Sequence, residues 1–294
     1  MAIYNLDYGQ LESLLGHSYS PGTEAAIISA IKSAGIVTSS SGPIRVEDVK
    51  TGGHYTMPKD AQIFLDTGSD DKVTVKDNGA KLIVAGDGSN AITDKGPGGD
   101  TLVGGAGADL LKVTHGRNEL IGGSGQNTLV GGSGHDTLIG GGSSLLEAGK
   151  GGSTLIGGAA EASSDTLKGG HGSDLLQVSH GDNLLIAGNG HDTLTGGDGH
   201  DTIFGGGHDT INLNYGDEFV QGGQGQDVVN IGLHGDDVIY GGKATTVYTD
   251  QTSSSIKSEV DVHGVTTITF TNHQVLTLSH VTIEFADDHK TTIH

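Results

Sequence analysis

The sequence predicts an all-β chain wound as a parallel β-roll, a β-solenoid with a small helical N-terminal cap and an antiparallel β C-terminal cap. Three observations predict it. From about Lys95 to Gly242 the chain repeats nonamers of the form Gly-Gly-x-Gly-x-Asp-x-Leu-x, with full matches beginning at Gly104, Gly131, Gly169, Gly196 and Gly222. Two residues after each acidic position an aliphatic side chain recurs, from Leu102, Leu111 and Leu120 through Leu176, Leu185 and Leu194 to Val229 and Ile239. The composition leaves little material for a bulky core: 53 glycines in 294 residues, no tryptophan, and aromatics at 4%.

A helix cannot keep a nine-residue period on one face, and glycine at this density would cost it roughly 1 kcal/mol per residue. A short strand between glycine turns can. Three extended residues point the middle side chain inward, and the next six turn through left-handed conformations open to glycine. Two nonamers close one coil, and coils stack as parallel strands about 4.8 Å apart around a thin aliphatic column.

Taken in chain order, residues 1–60 read as a helical and irregular cap. Leu11, Leu14 and Leu15, then Ile27, Ile28 and Ile31, fall at helical spacing, with Gly35 as a stop. Residues 61–94 read as degenerate coils: Asp71 with Val73, Asn78 with Leu82, and Asn90 with Ile92. The regular roll occupies 95–242, broken at Gly140-Gly141-Gly142-Ser143-Ser144 and by an insertion over Ala159 to Ser164. Residues 243–294 alternate at period two, as in Thr266–Phe270 and Val275–Leu278, and are expected to form the antiparallel cap over the last coil's edge.

Each turn carries one carboxylate beside backbone whose glycines point carbonyl oxygens into the gap between coils. Flexible, oxygen-only donor sets suit Ca²⁺ better than the stricter octahedral Mg²⁺. With no cysteine in the chain, thiolate-selected metals have no ligands. The candidate metal ligands are Asp100, Asp109, Asp136, Asp165, Asp174, Asp192, Asp201, Asp209, Asp227 and Asp237. Alternate nonamers share an edge, so Asp174, Asp192, Asp209 and Asp227 fall on one edge, enough for three intercoil sites. The other edge receives Asp165, Asn183, Asp201, Glu218 and Asp237. Upstream, Asp100, Asn118 and Asp136 lie on one side, with Asp109 and Asn127 on the other. The strongest ladder is expected over 169–230, with weaker positions near 140–160.

These nonamers closely resemble the RTX family, the hemolysin-type calcium-binding repeats of exported bacterial proteins, over roughly half the chain. The resemblance implies a parallel β-roll with Ca²⁺ between turns, held by Asp carboxylates and glycine-turn carbonyls. It also implies type I secretion through an uncleaved C-terminal signal, and Thr282–Asp288 resembles the end segment of many such proteins. Met1–Gln10 has neither a basic n-region nor an apolar h-region, so a cleaved secretory signal is not expected. Substitutions of the acid by Asn, Ser or Glu single out individual calcium positions without disturbing the coil.

Fifteen Lys plus Arg against 36 Asp plus Glu give a net charge of -21, which repels phosphate backbones and anionic membranes and favours multivalent cations. No run approaches eighteen apolar residues, so no membrane insertion is expected. Asp66-Thr67-Gly68-Ser69 spells an aspartic-protease triplet, but that chemistry needs a second one and none occurs. Ser18 sits in a near-miss of the nucleophile elbow, and no His-Glu-x-x-His is present. His191 and His208 should stack on adjacent coils, where a shared transition metal competes with a plain solvated turn. Threonines after the acid (Thr137, Thr193, Thr202, Thr210) fit outward strand positions.

The expectation is a secreted or cell-surface calcium-binding protein that is not an enzyme. It folds on extracellular Ca²⁺ and acts as a structural, adhesive or matrix component, with self-association open to it. The alternative is a secreted binding module or effector whose caps recognise a ligand, with a cryptic hydrolase on Asp66 or Ser18 behind it.

Overall fold

A computed structural model describes residues 2–6, 10, 13, 44–49, 53–59, 61–66, 70–76, 78–159, 163–232, 234–262 and 264–293. The chain divides into two compact units, Met1–Gly151 and Gly152–His294. Among the described residues each is built on a parallel β-solenoid.

In the first unit, strands two apart in sequence pair in parallel and in register. Thr101–Ala106 lies on Glu119–Ser124 with Leu102 opposite Leu120. Leu110–Lys112 lies on Thr128–Val130 with Leu111 opposite Leu129. Short strands form because the middle residue of each triplet is aliphatic and points inward. Leu102, Leu111, Leu120, Leu129 and Leu138 are fully buried, and Leu146 joins them. Glycine is required where one turn meets the next. Gly105 has φ +109°, and a Cβ there would lie 2.0 Å from the Gly86 carbonyl oxygen, a contact no side chain can accept.

The parallel ladder extends upstream of the regular repeats. Ile63–Asp66, Lys72–Val75, Leu82–Val84 and Ala91–Asp94 are coil strands. Leu82–Val84 pairs with Thr101–Ala106 so that Ile83 faces Leu102. This corrects the register read from sequence: Ile83, not Leu82, is in line with the inward column, and Lys81, not Asn78, holds the acid position. Farther back, Ile44–Val49 pairs in parallel with Ile63–Asp66 and antiparallel with Ala2–Leu6. Strand therefore occupies part of the segment expected to be helical or irregular. Of the helices expected around Leu11–Leu15 and Ile27–Ile31 only Ser13, with Gln10 just before it, is described, and both are helical; the remainder, and Ser18, lie outside the described residues.

The second unit repeats the arrangement. Thr166–Gly172 pairs with Leu184–Gly190, and Leu175–Gln177 with Thr193–Thr195, burying Leu167, Leu185, Leu176 and Leu194. Coil length varies: corresponding positions are 17 residues apart at Asp192 and Asp209, 19 at Glu218 and Asp237, and 21 at Ser153 and Asp174. The longer coil contains the insertion read from sequence over Ala159–Ser164.

The C-terminal segment is only partly the antiparallel cap expected. Val265–Phe270 pairs antiparallel with Ile256–Val262 and Val275–Phe285, and Lys290–Ile293 pairs antiparallel with Val275–Phe285. Val275–Phe285, however, runs parallel to Asp237–Thr249, with Ile239 opposite Leu278 and Val247 opposite Ile283. Leu278 and Ile283 are fully buried, so this strand prolongs the inward column before the chain turns back. The antiparallel strands then pair its remaining backbone groups.

Because one aliphatic side chain fills each layer, Leu185→Ala is expected to cost about 2–5 kcal/mol of unfolding free energy. Leu175→Ala, at a side chain 37% exposed, is expected to cost under about 1 kcal/mol by area burial. Denaturant titration of both variants in saturating calcium checks the contrast.

Candidate metal sites

The turns place one side chain of each nonamer against its counterpart on the neighbouring coil. The contact has a fixed form: the side-chain Oδ1 accepts the backbone N–H of the equivalent residue one coil earlier. Asp192 Oδ1 takes the N–H of Asp174 at 2.7 Å, Asp209 that of Asp192 at 3.0 Å and Asp227 that of Asp209 at 3.2 Å. On the other edge Asn183 takes Asp165 N–H, Asp201 takes Asn183 N–H, and Asp237 takes Glu218 N–H at 3.2 Å. In the first unit Asn118 takes the Asp100 N–H, Asp136 the Asn118 N–H and Asn127 the Asp109 N–H. The ten aspartates singled out in the sequence thus fall into two columns in each unit, on the edges assigned to them. Asp71, Asn90 and Lys81 extend the columns of the first unit upstream.

All ten are between 1% and 3% exposed. Carboxylates that deep are stable only when protonated, hydrogen-bonded or bound to a cation. The second oxygens differ. Those of Asp136, Asp201, Asp209 and Asp227 accept a glycine N–H from their own turn, at 3.1, 3.0, 2.7 and 2.9 Å. Oδ2 of Asp109, Asp192 and Asp237 and both carboxylate oxygens of Glu218 are buried and accept no hydrogen bond.

Electrostatics follow burial. Desolvation raises Asp192 from 3.8 to about 6; the Asp174 N–H opposes the shift, and the neighbouring carboxylates of Asp209 and Asp174 add to it. Asp109, Asp201 and Asp209 are raised for the same leading reason. Glu218 and Asp237 are both raised, first by burial; the Asp237 carboxyl then raises Glu218 further.

These residues fit a hard divalent cation. Oxygen is the only donor the columns offer in quantity, and backbone carbonyls lie beside the carboxylates. A Cβ at Gly104 would sit 2.5 Å from Asp109 Oδ2 and 2.6 Å from the Gly122 carbonyl oxygen of the next coil. A Cβ at Gly169 would likewise meet the Ala187 carbonyl at 2.2 Å and Asp174 Oδ2 at 3.0 Å. The space shared by carboxylate and carbonyl is open because those positions are glycine. Among the described residues no three or more His, Asp or Glu side chains converge as a metal-holding group. A cation here would take its remaining ligands from backbone carbonyls, as flexible calcium coordination allows.

The histidines behave differently. His191 and His208 stack with centroids 5.2 Å apart and planes at 19°, and His208 Nδ1 accepts the Gln226 N–H at 2.9 Å. Two parallel rings with one nitrogen already engaged do not converge on a shared metal. Asp66 is fully buried, and the rest of its triplet lies outside the described residues.

Fold and site together define a calcium-binding β-roll. The model of the RTX calcium-binding nonapeptide repeat matches in four copies, at residues 96–113, 113–144, 179–207 and 205–229. The repeats of this chain belong to that hemolysin-type RTX family. The comparison with curated proteins gives no match.

A pH dependence follows from the raised acids. With its folded value near 6 and its ordinary value 3.8, Asp192 keeps in the fold a proton that the unfolded chain releases. Calcium-free protein is therefore expected to be most stable near pH 4 and to lose stability as pH rises through about 6. In excess calcium the trend reverses, because ligands must be deprotonated to bind. Melting curves from pH 4 to 7.5 in chelator and in calcium test this; the same slope in both contradicts it.

Proposed function

We propose that this chain is an exported, non-enzymatic protein whose β-rolls are completed by extracellular Ca²⁺, acting as a structural, adhesive or matrix component. The observation that carries the reading is the run Asp174, Asp192, Asp209 and Asp227, four buried carboxylates on successive coils. The proposed calcium ligands are these four together with Asp100, Asp109, Asp136, Asp165, Asp201 and Asp237, aided by turn carbonyls. At cytosolic calcium such a run is unfavourable; at millimolar calcium bound ions contribute folding free energy directly. Export by a type I system is what the RTX repeat implies, and it fits a chain whose facing carboxylates are neutralised by ions only after it reaches calcium. A net charge of -21 supports solubility before calcium arrives and bridging between copies once it does.

A second reading has one observation in its favour. A cleft of about 470 Å³ in the second unit is lined by residues that include Asn212, Asn230, Tyr248, Asp250 and Phe285. Such a mix of apolar and polar lining residues suits a ligand-binding module.

Calcium titration of chelator-stripped protein separates the readings, followed by far-UV circular dichroism and light scattering on the same samples. A gain of β signal with growth in particle mass is expected for the matrix reading. The same gain in a persistent monomer favours the binding module. Identical spectra with and without calcium contradict both.

A further inference from the structure

The columns are not chemically uniform, and the difference separates the two units. In the first unit, within the runs Asp71, Asn90, Asp109 and Asn127 on one edge and Lys81, Asp100, Asn118 and Asp136 on the other, each neighbouring pair joins one carboxylate to one nitrogen-bearing side chain; beyond them Asn127 lies opposite the buried Ser144. Asn90 and Asn127 donate from Nδ2 to carbonyls of their own turns, Gly88 at 3.3 Å and Gly123 at 3.2 Å. Asn118 Nδ2 donates to the His115 carbonyl at 2.8 Å and to Asp136 Oδ1 at 2.9 Å. Its Oδ1 accepts the Asp100 N–H at 3.0 Å, which fixes the orientation of the amide. One amide thus ties its own turn's carbonyl to the next coil's carboxylate, the connection a bridging cation would make. Lys81, 3% exposed, places an ammonium in the same column: its Nζ donates to the preceding coil's carbonyls of Lys59, at 2.9 Å, and Ala61, while its backbone N–H donates to Asp100 Oδ1.

The second unit shows the same device once. Asn183 Nδ2 donates to the carbonyls of His180 and Gly181 and to Asp201 Oδ1 at 2.9 Å. Elsewhere carboxylates face each other directly, in the run from Asp174 to Asp227 and where Glu218 meets Asp237. Here lie the buried oxygens of Asp192, Glu218 and Asp237 that accept no hydrogen bond. In the first unit Oδ2 of Asp71, Asp94 and Asp109 also accepts none, but Asp94 stands outside the columns, Asp71 has the amide of Asn90 as its neighbour on the next coil, and amides flank Asp109 on both sides, so neither column carboxylate is paired with a second one.

We propose that amide and ammonium groups stand in for calcium throughout the first unit, so that its coils form without the ion, and that calcium-dependent ordering is confined to the adjacent carboxylates of the second unit. This rests on the calcium reading above and narrows it: Asp100, Asp109 and Asp136 then have amide or ammonium side chains, not carboxylates, as column neighbours within the unit. Part of the protein is built for the calcium-poor state and part for the calcium-rich one.

Hydrogen–deuterium exchange read by mass spectrometry on the full chain, in chelator and in calcium, tests it. Amides of 82–138 are expected to be protected in both conditions. Amides of 175–239 are expected to exchange about 100-fold more slowly per bound ion once calcium reaches about a hundred times its dissociation constant. If 82–138 also loses protection in chelator and regains it with calcium, the inference is overturned while the calcium reading stands. If neither segment responds to calcium, the calcium reading itself fails. The variant Asn118→Asp aligns three carboxylates, Asp100, the new aspartate and Asp136; protection of 100–138 is then expected to become calcium-dependent, and unchanged protection in chelator overturns the inference.

Discussion

Carboxylates buried one strand spacing apart impose the constraint on which the rest of the structure depends. Parallel coils stack about 4.8 Å apart, so residues at equivalent turn positions face each other at that distance. In a low-dielectric edge, each unpaired charge costs several kcal/mol. One aliphatic side chain per nonamer gives a core too thin to absorb that cost repeatedly. Something must neutralise each column, and the chain offers three means: a retained proton, a nitrogen donor and a divalent cation.

The backbone serves that neutralisation as much as it serves the fold. Apart from Lys81 and Glu218, column residues from Asp71 to Asp237 accept a main-chain N–H of the preceding coil on a side-chain oxygen, which holds the acids in register whatever else binds them. Glycine clears the space beside them, as at Gly104, where any Cβ would strike both Asp109 and the next coil's carbonyl. Carbonyls directed at the carboxylates then complete an all-oxygen environment, and Asn and Lys side chains exploit the same carbonyls as acceptors. Calcium dependence is therefore set residue by residue in the columns, within a backbone that stays the same.

Much of this was legible in the sequence because period, acid and aliphatic reinforce one another. The inward residues from Leu102 to Ile239 and the edge assignment of the aspartates followed from a coil of two nonamers. The register slipped where the column position carries no acid: Asn78 followed by Gly79 resembles a turn, Lys81 holds the position instead, and Leu82 and Ile83 are equally apolar. Lys81 escaped notice because a lysine in an acidic column looks like a surface residue until its ammonium is seen on turn carbonyls. The parallel pairing of Val275–Phe285 was hidden too, since period-two alternation gives the buried face of a strand and says nothing of its direction. That Asn substitutes for an ion also required geometry, because composition alone cannot show which atom its amide hydrogens reach.

The account is tested most directly by counting tightly bound calcium ions on the intact chain by native mass spectrometry, for the parent protein and for Asp192→Ala. Asp192 borders both Asp174 and Asp209, so its loss is predicted to remove the two ions it shares with them and leave the others in place. A parent chain that retains no calcium, or a variant that retains the full parental number, would contradict the claim that calcium holds the buried carboxylate columns.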